Sequence, residues 1–228
     1  MINPNIRQWL LPLLKPICPA CEQSQPDGLL CATCVTYLEP LNQPCKLCGE
    51  PNIVESICGR CLQTPPPWDD VAMRWSFNGL SRHLIHQFKY HHDIAAAAAL
   101  MKAWCQETDL SFRPEALVAV PMHHRKHAKK GYNQADILTK RLSTQLGIPV
   151  WRGIQRQIAT QPLEGLSKKE RKKVLKDAFR LTATPPKSVA IIDDVFTSGA
   201  TMAEICRLLK RQGCQFVAVW TLARTPLP

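Results

Sequence analysis

No apolar run in this 228-residue chain approaches the roughly twenty residues needed to cross a bilayer, so no membrane-spanning helix is expected. The one apolar patch near the start, WLLPLL, is broken by Pro12. It has no basic stretch before it and no A-x-A-like cleavage site after it, which predicts a short packing helix rather than a signal peptide. These absences make the cytoplasm the expected compartment. There is no G-K-[ST], which excludes a Walker-type phosphate loop. Acidic residues are scarce beside basic ones, 18 against 29, for a formal net charge of +11. That balance favours anionic partners such as phosphate esters, nucleotides or nucleic acid, although many lysines are simply solvated. With 45% hydrophobic residues, the length suits one full domain plus a small one.

Cysteine, by contrast, is abundant and concentrated. Eight of 11 cysteines form four C-x-x-C pairs: Cys18/Cys21, Cys31/Cys34, Cys45/Cys48 and Cys58/Cys61. A C-x-x-C turn aims two thiolates at one ion, and two such turns complete the tetrahedral sulfur set that zinc prefers. Four pairs therefore imply two structural zinc ions, with no coordination position left open for water. The competing disulfide framework lacks a secretory signal to support it. Sequential grouping is preferred over a cross-braced one, because local closure costs less loop entropy. Cys105, Cys206 and Cys214 stand alone and read as small buried apolar residues.

Residues 1–62 are thus expected to form a double zinc ribbon-like module with a short N-terminal helix. Residues 63–70, QTPPPWDD, read as a stiff proline-rich linker. Beyond it, residues 71–228 alternate between strand and helix patterns. Strands are expected at 71–77, 116–121, 188–193 and 216–222, and helices at 80–90, 94–104, 134–146 and 200–211. This alternation predicts an α/β domain with a mostly parallel sheet and helices on its faces. In such sheets, ligands bind beyond the carboxyl ends of the strands.

The stretch AIIDDVFTSGAT, residues 190–201, falls at that place. Thr197, Ser198, Gly199, Ala200 and Thr201 lead into a helix whose first N–H groups, with the hydroxyls, suit a phosphate. Gly199 permits close backbone approach. Asp193 and Asp194, read as the end of the strand, repel phosphate but accept hydrogen bonds from sugar hydroxyls or help to hold magnesium through water. A 5-phosphorylated ribose satisfies both halves. The plainer alternative is a capped helix start.

VAIIDDVFTSGAT resembles the phosphoribosyl-pyrophosphate (PRPP) signature of type I phosphoribosyltransferases. VPMHHRKHAKKGYNQADIL, residues 120–138, resembles the P-x-x-x-x-R-x-x-x-R-G-F-N-Q-A stretch of the ComF/GntX family. KYHHD, residues 89–93, resembles its K-Y-x-G-D, and residues 156–179 resemble its T-x-x-Q-x-x-L-x-x-x-E-R-x-x-N segment. The cysteine array fits as well. Lys130 stands where the family often has arginine, His92 replaces its glycine and Val174 its asparagine.

The resemblance implies a type I phosphoribosyltransferase-like fold, PRPP or ribose 5-phosphate as ligand with magnesium, and a role in competence or in the use of external DNA. It leaves room for a DNA-uptake helicase as partner. Displacing pyrophosphate from ribose needs cations at the leaving group and exclusion of water. Arg125, Lys129 and Lys130 are the candidate cations beside Asp193 and Asp194, on what reads as a loop, and residues 156–171 are a candidate lid. The basic runs HHRKHAKK and KKERKKVLK also fit a solvated face. His123, His124 and His127 lack a further ligand partner and read as supporting or surface residues. No general base stands out, and no segment identifies an acceptor base. Three readings stay open: a PRPP-dependent transferase, a protein that handles single-stranded DNA, and a PRPP sensor without turnover.

Overall fold

Strand and helix patterns resolve into a four-stranded sheet in which every neighbouring pair runs parallel. The computed structural model describes residues 16–110, 112–158 and 178–226. The expected N-terminal helix therefore lies outside the described residues. In chain order the elements are α1 (Ala32–Thr36), α2 (Gly59–Gln63), β1 (Asp70–Ser76), α3 (Gly79–His91), α4 (Ile94–Glu107), β2 (Ala116–Ala119), α5 (His124–Lys130), α6 (Gln134–Leu146), β3 (Ile154–Arg156), β4 (Phe179–Leu181), β5 (Ser188–Phe196), α7 (Ala200–Arg211) and β6 (Phe216–Arg224).

The sheet order is β1-β6-β5-β2, with β3 and β4 forming a separate antiparallel hairpin. The central strands β5 and β6 are apolar on both faces, as a parallel sheet covered on both sides requires. Alternate residues divide cleanly. Ala190, Ile192, Ala218 and Trp220 pack with Leu84, Phe88, Leu100, Trp104 and Leu138 from α3, α4 and α6. Val189, Ile191, Val217 and Val219 pack with Met202, Ile205 and Leu209 of α7 and with Ile154 and Phe179 of the hairpin. Helix starts are set by caps. Asp93 accepts from the Ala96 amide at the head of the alanine-rich α4, and Asn133 from the Ala135 amide at the head of α6.

Three expectations change. β5 does not stop at Asp193; its pairing with β6 continues through Val195↔Ala223 and Phe196↔Arg224, so both aspartates lie within the strand. The basic segment after β2 is a helix rather than a loop, because His123 accepts from the Arg125 amide at one end and Gly131, at φ 82°, closes the other. Cys105 is only half-buried, and its thiol donates to Gln145 Oε1 at 3.0 Å, whereas Cys206 and Cys214 are buried.

The cysteine-rich segment is joined to the sheet. Leu30, Cys34 and Leu38 share the hydrophobic cluster of α3 and α4. Leu41 N donates to Arg74 O, Ser76 N donates to Glu39 O, and Pro40 bridges Trp75, so residues 39–41 cover the outer edge of β1. Residues 149–151 cover the outer edge of β2 in the same way. The proline-rich stretch is packed down: Trp68 is buried and donates to Leu47 O at 2.7 Å, and Asp69 N donates to Val217 O. Among the described residues, no helix is long and apolar enough to cross a membrane.

Candidate functional site

The eight paired cysteines form two clusters, Cys18–Cys21–Cys31–Cys34 and Cys45–Cys48–Cys58–Cys61, which is the sequential grouping. Within each cluster the sulfurs lie within 4.8 Å of one another. Cys21 and Cys31 Sγ are 3.8 Å apart, and Cys48 and Cys58 Sγ 3.7 Å. Sulfurs held about 2.3 Å from a tetrahedral zinc stand about 3.8 Å from one another, so both cages have the size of a structural four-cysteine zinc site. Backbone amides support the sulfurs in the same way in each, Cys31 N on Cys18 Sγ (3.4 Å) and Cys58 N on Cys45 Sγ (3.3 Å). Burial opposes the thiolate at these first cysteines. The surrounding amides outweigh it and bring Cys18 down to about 6 and Cys45 to about 7, whereas burial pushes Cys34, Cys48 and Cys61 up, so a bound cation would be needed to hold all four sulfurs of a cage as thiolates. Arg60 adds a cation 3.6 Å from Cys48 Sγ. Zinc bound here would hold the turns in place and supply no open position for chemistry.

The second site lies at the carboxyl end of β5. Asp194 is buried, and its Oδ2 sits 2.9 Å from Lys89 Nζ, near the end of α3. Burial works against the Lys89 ammonium, but Asp194, with Asp193 and Tyr90 in support, outweighs it and raises the Lys89 pKa. Burial, and then the charge of Asp194, push the Asp193 carboxyl up to about 7 against the pull of Lys89, the Asp194 amide and Arg156. Asp194 is therefore answered by Lys89, whereas Asp193, beside it, carries a charge that its surroundings oppose.

The loop follows directly. Thr197 is exposed, Ser198 and Thr201 are half-buried, and Gly199 is buried at φ 70° as the N-cap of α7. Gly199 offers no side chain to the first amides of the helix, and Ser198 Oγ accepts from Ala200 N at 3.4 Å. A Cβ on Gly199 would lie 2.6 Å from Phe196 and 2.8 Å from Trp68. Glycine is thus required here by packing and by backbone conformation, whatever the ligand. Arg156 also lines a cavity of about 550 Å³, with Pro121, His124, His127, Trp151 and Arg152 among others. Arg125 is exposed on α5, while Lys130 places its ammonium over the rings of Tyr90 and Tyr132. The side chain of Lys129, and residues 159–177 with most of the expected lid, the second basic run and Val174, lie outside the described residues.

Residues 6–62 match the family model of the double zinc ribbon domain. Over 206 residues the chain is 37% identical to the DNA utilization protein YhgH of Salmonella typhimurium, covering 86% of this chain and 90% of the relative. It is 34% identical over 207 residues to competence protein F of Haemophilus influenzae, with the same coverage, and 23% identical over 218 residues to competence protein ComFC of Bacillus subtilis, covering 88% and 86%. The chain belongs to the family of YhgH and competence protein F.

Family motifs and geometry now explain one another. In K-Y-x-G-D, Lys89 is the partner of Asp194, a role that the motif is legible enough to flag but not to assign. His92 occupies the glycine position at φ 58°, a left-handed turn that ends α3, with its ring centroid 4.4 Å from that of Tyr132. Asp93 caps α4. The G-F-N-Q-A counterpart, Gly131 to Ala135, clamps the same place. Tyr132 Oη lies 2.8 and 3.0 Å from the carbonyl oxygens of Phe88 and Lys89, and Gln134 Nε2 donates to Lys89 O at 3.3 Å. Two motifs far apart in sequence thus cooperate to aim one lysine at one aspartate. Arg156, the first residue of the expected lid, lies on β3 with its guanidinium 5.6 Å from the Phe179 ring centroid, and its charge weakly favours the Asp193 carboxylate.

Proposed function

We propose that this chain binds a 5-phosphorylated ribose, PRPP foremost, over the junction of β5 and α7, in the service of DNA use or uptake. The observation that carries this reading is the buried Asp194–Lys89 pair standing immediately before the Thr197–Thr201 loop at the carboxyl end of a central parallel strand. Asp193 and Asp194 would accept the ribose hydroxyls, the loop amides and hydroxyls of Thr197, Ser198 and Thr201 would take the 5-phosphate, and Lys89 and Arg156 would offset the charge of the anionic sugar. Ala200 contributes its amide, and Gly199 the turn. Arg125 and Lys130 are proposed for the pyrophosphate. Magnesium enters only as the companion of that pyrophosphate. Asp194 is already paired with Lys89, which leaves the aspartates poorly placed to hold a bare divalent ion by themselves. The names of the relatives support the biological setting, and the cavity that Arg156 lines is large enough for a second, base-sized ligand.

Calorimetric titration with PRPP and magnesium tests the reading. Wild type is expected to bind, and ribose 5-phosphate to compete. Asp194→Asn is expected to weaken binding about tenfold or more, the loss of one charge-assisted bond of roughly 1.5–3 kcal/mol. Circular dichroism must show that the variant is folded, since the substitution also strips Lys89 of its partner. No binding by wild type ends the proposal. Pyrophosphate release with a panel of bases then separates a transferase from a sensor.

A second reading, binding of single-stranded DNA, has its own observation. Lys130 Nζ lies 5.6 and 5.3 Å from the ring centroids of Tyr90 and Tyr132, with the ring centroid of His86 5.3 Å from that of Tyr90 and His92 beside Tyr132, on a partly exposed strip. Interleaved rings and cations are the composition that stacks unpaired bases. An oligo-dT anisotropy titration is expected to show affinity that falls steeply with salt and drops at least fivefold in Tyr90→Ala. Salt-independent affinity, or an indifferent variant, removes this reading.

A further inference from the structure

Arg224 closes β6 with its guanidinium wholly buried, and none of the chemistry above uses it. Its planar fork is engaged on two sides. Toward the second cysteine cluster, Nε donates to Cys48 O at 2.9 Å and Nη2 to Glu50 Oε2 at 2.7 Å. Toward the loop, Nη1 donates to Thr197 O at 2.8 Å and lies 3.4 Å from Phe196 O, with Thr225 O also against it. The cation stands 5.0 Å from the Phe196 ring centroid. A buried charge persists only when its partners are held in place, and here the partners belong to two separate structures.

On the cluster side the turn is tight. Cys45 N donates to Glu50 O and Gly49 N to Cys45 O, both at 2.8 Å, and Gly49 sits at φ 67° against Met73 and Arg224. Cys45 and Cys48 are ligands of the cage, so a bound metal fixes this turn and with it the Cys48 carbonyl and Glu50. On the other side, Phe196 and Thr197 are the residues at which β5 gives way to the loop. Among the described residues, no hydrogen bond joins the first cluster to that loop.

We propose that Arg224 is a positioning residue through which metal in the Cys45–Cys48–Cys58–Cys61 cluster sets the conformation of the Thr197–Thr201 loop. The functional weight of this coupling rests on the reading of that loop as a phosphate site, but the coupling itself needs no ligand to be seen.

Hydrogen–deuterium exchange on the full chain, with metal content measured on the same samples, tests it. Cys58→Ser is expected to lose one metal and to speed exchange of the 197–203 amides about tenfold. Cys21→Ser, in the first cluster, is expected to lose one metal and leave those amides as they were. Arg224→Met should speed loop exchange with both metals still bound. Arg224→Lys should restore little, because a point charge cannot reproduce the fork that reaches both sides. Should Arg224→Met fail to fold, Glu50→Gln, which weakens the grip on Arg224 from the cluster side, carries the same test and is expected to give a smaller rise. Equal loop exchange in wild type and Cys58→Ser, or full restoration by lysine, overturns the proposal. If the loop responds but wild type does not bind PRPP, the coupling stands and the ligand reading falls. If PRPP binds equally to wild type and Cys58→Ser with loop exchange unchanged, the ligand reading stands and the coupling falls.

Discussion

Asp193 illustrates how a single carboxyl can weaken the fold that holds it. Its pKa rises from the ordinary value near 3.9 to about 7, first through burial and then through Asp194. At pH values below both figures the group is protonated in the folded and unfolded chain alike and costs nothing. As pH rises from about 4 to about 7, the unfolded chain ionises first and stability is lost; above 7 the loss levels off. Asp193→Asn, which has no proton to lose, is therefore expected to be more stable than wild type at pH 8, by about 1–3 kcal/mol, and close to it near pH 4. Thermal melts across that range check this, and an Asn variant that gains nothing at pH 8 would contradict it. His92 shows the opposite sort of residue-level information. Its departure from the family's glycine is visible in the sequence, but its meaning, a side chain held in a left-handed turn, needs the backbone angle.

Elements are legible where they carry their own signals. The helix expected at 134–146 is α6 to the residue, because Asn133 caps it and Gly147 ends it at φ 63°. β5 reads short in the sequence, since two adjacent carboxylates look like a strand end. Its true length is set by pairing with β6, which no local pattern reports. α5 has no apolar periodicity, so only its caps could betray it, and β3 and β4, three residues each, are too short to pattern. Of the candidate site, the cysteine cages and the aspartate–loop order are readable, whereas Lys89 and Arg156 arrive from distant elements and depend on tertiary packing. The β5–α7 junction also changes how Gly199 is probed. Since a Cβ there runs into Phe196 and Trp68, Gly199→Ala is expected to cost about 1–3 kcal/mol without any ligand, measured as a lower denaturation midpoint. An unchanged midpoint would mean that the aromatic wedge yields easily.

At the scale of the whole molecule, the cysteine cages and the sheet are bound into one another through residues 39–41 on β1, Trp68 on Leu47 and Arg224 on Cys48. Removing metal with a chelator is therefore expected to lower a single calorimetric transition by several degrees, rather than to melt the cysteine-rich segment alone; an early separate transition with the main one unmoved would show independent units. The two edges of the sheet make this more than a matter of melting. The guard over β2, residues 149–151, follows α6 and is independent of the cages, whereas the guard over β1, residues 39–41, is strung between the two cages and depends on both. A metal-starved chain would thus bare one edge and keep the other covered. Such a sheet can add one neighbour and no more, so the expected product of zinc depletion is a closed pair of chains, visible by light scattering as dimers, and not an open-ended fibre.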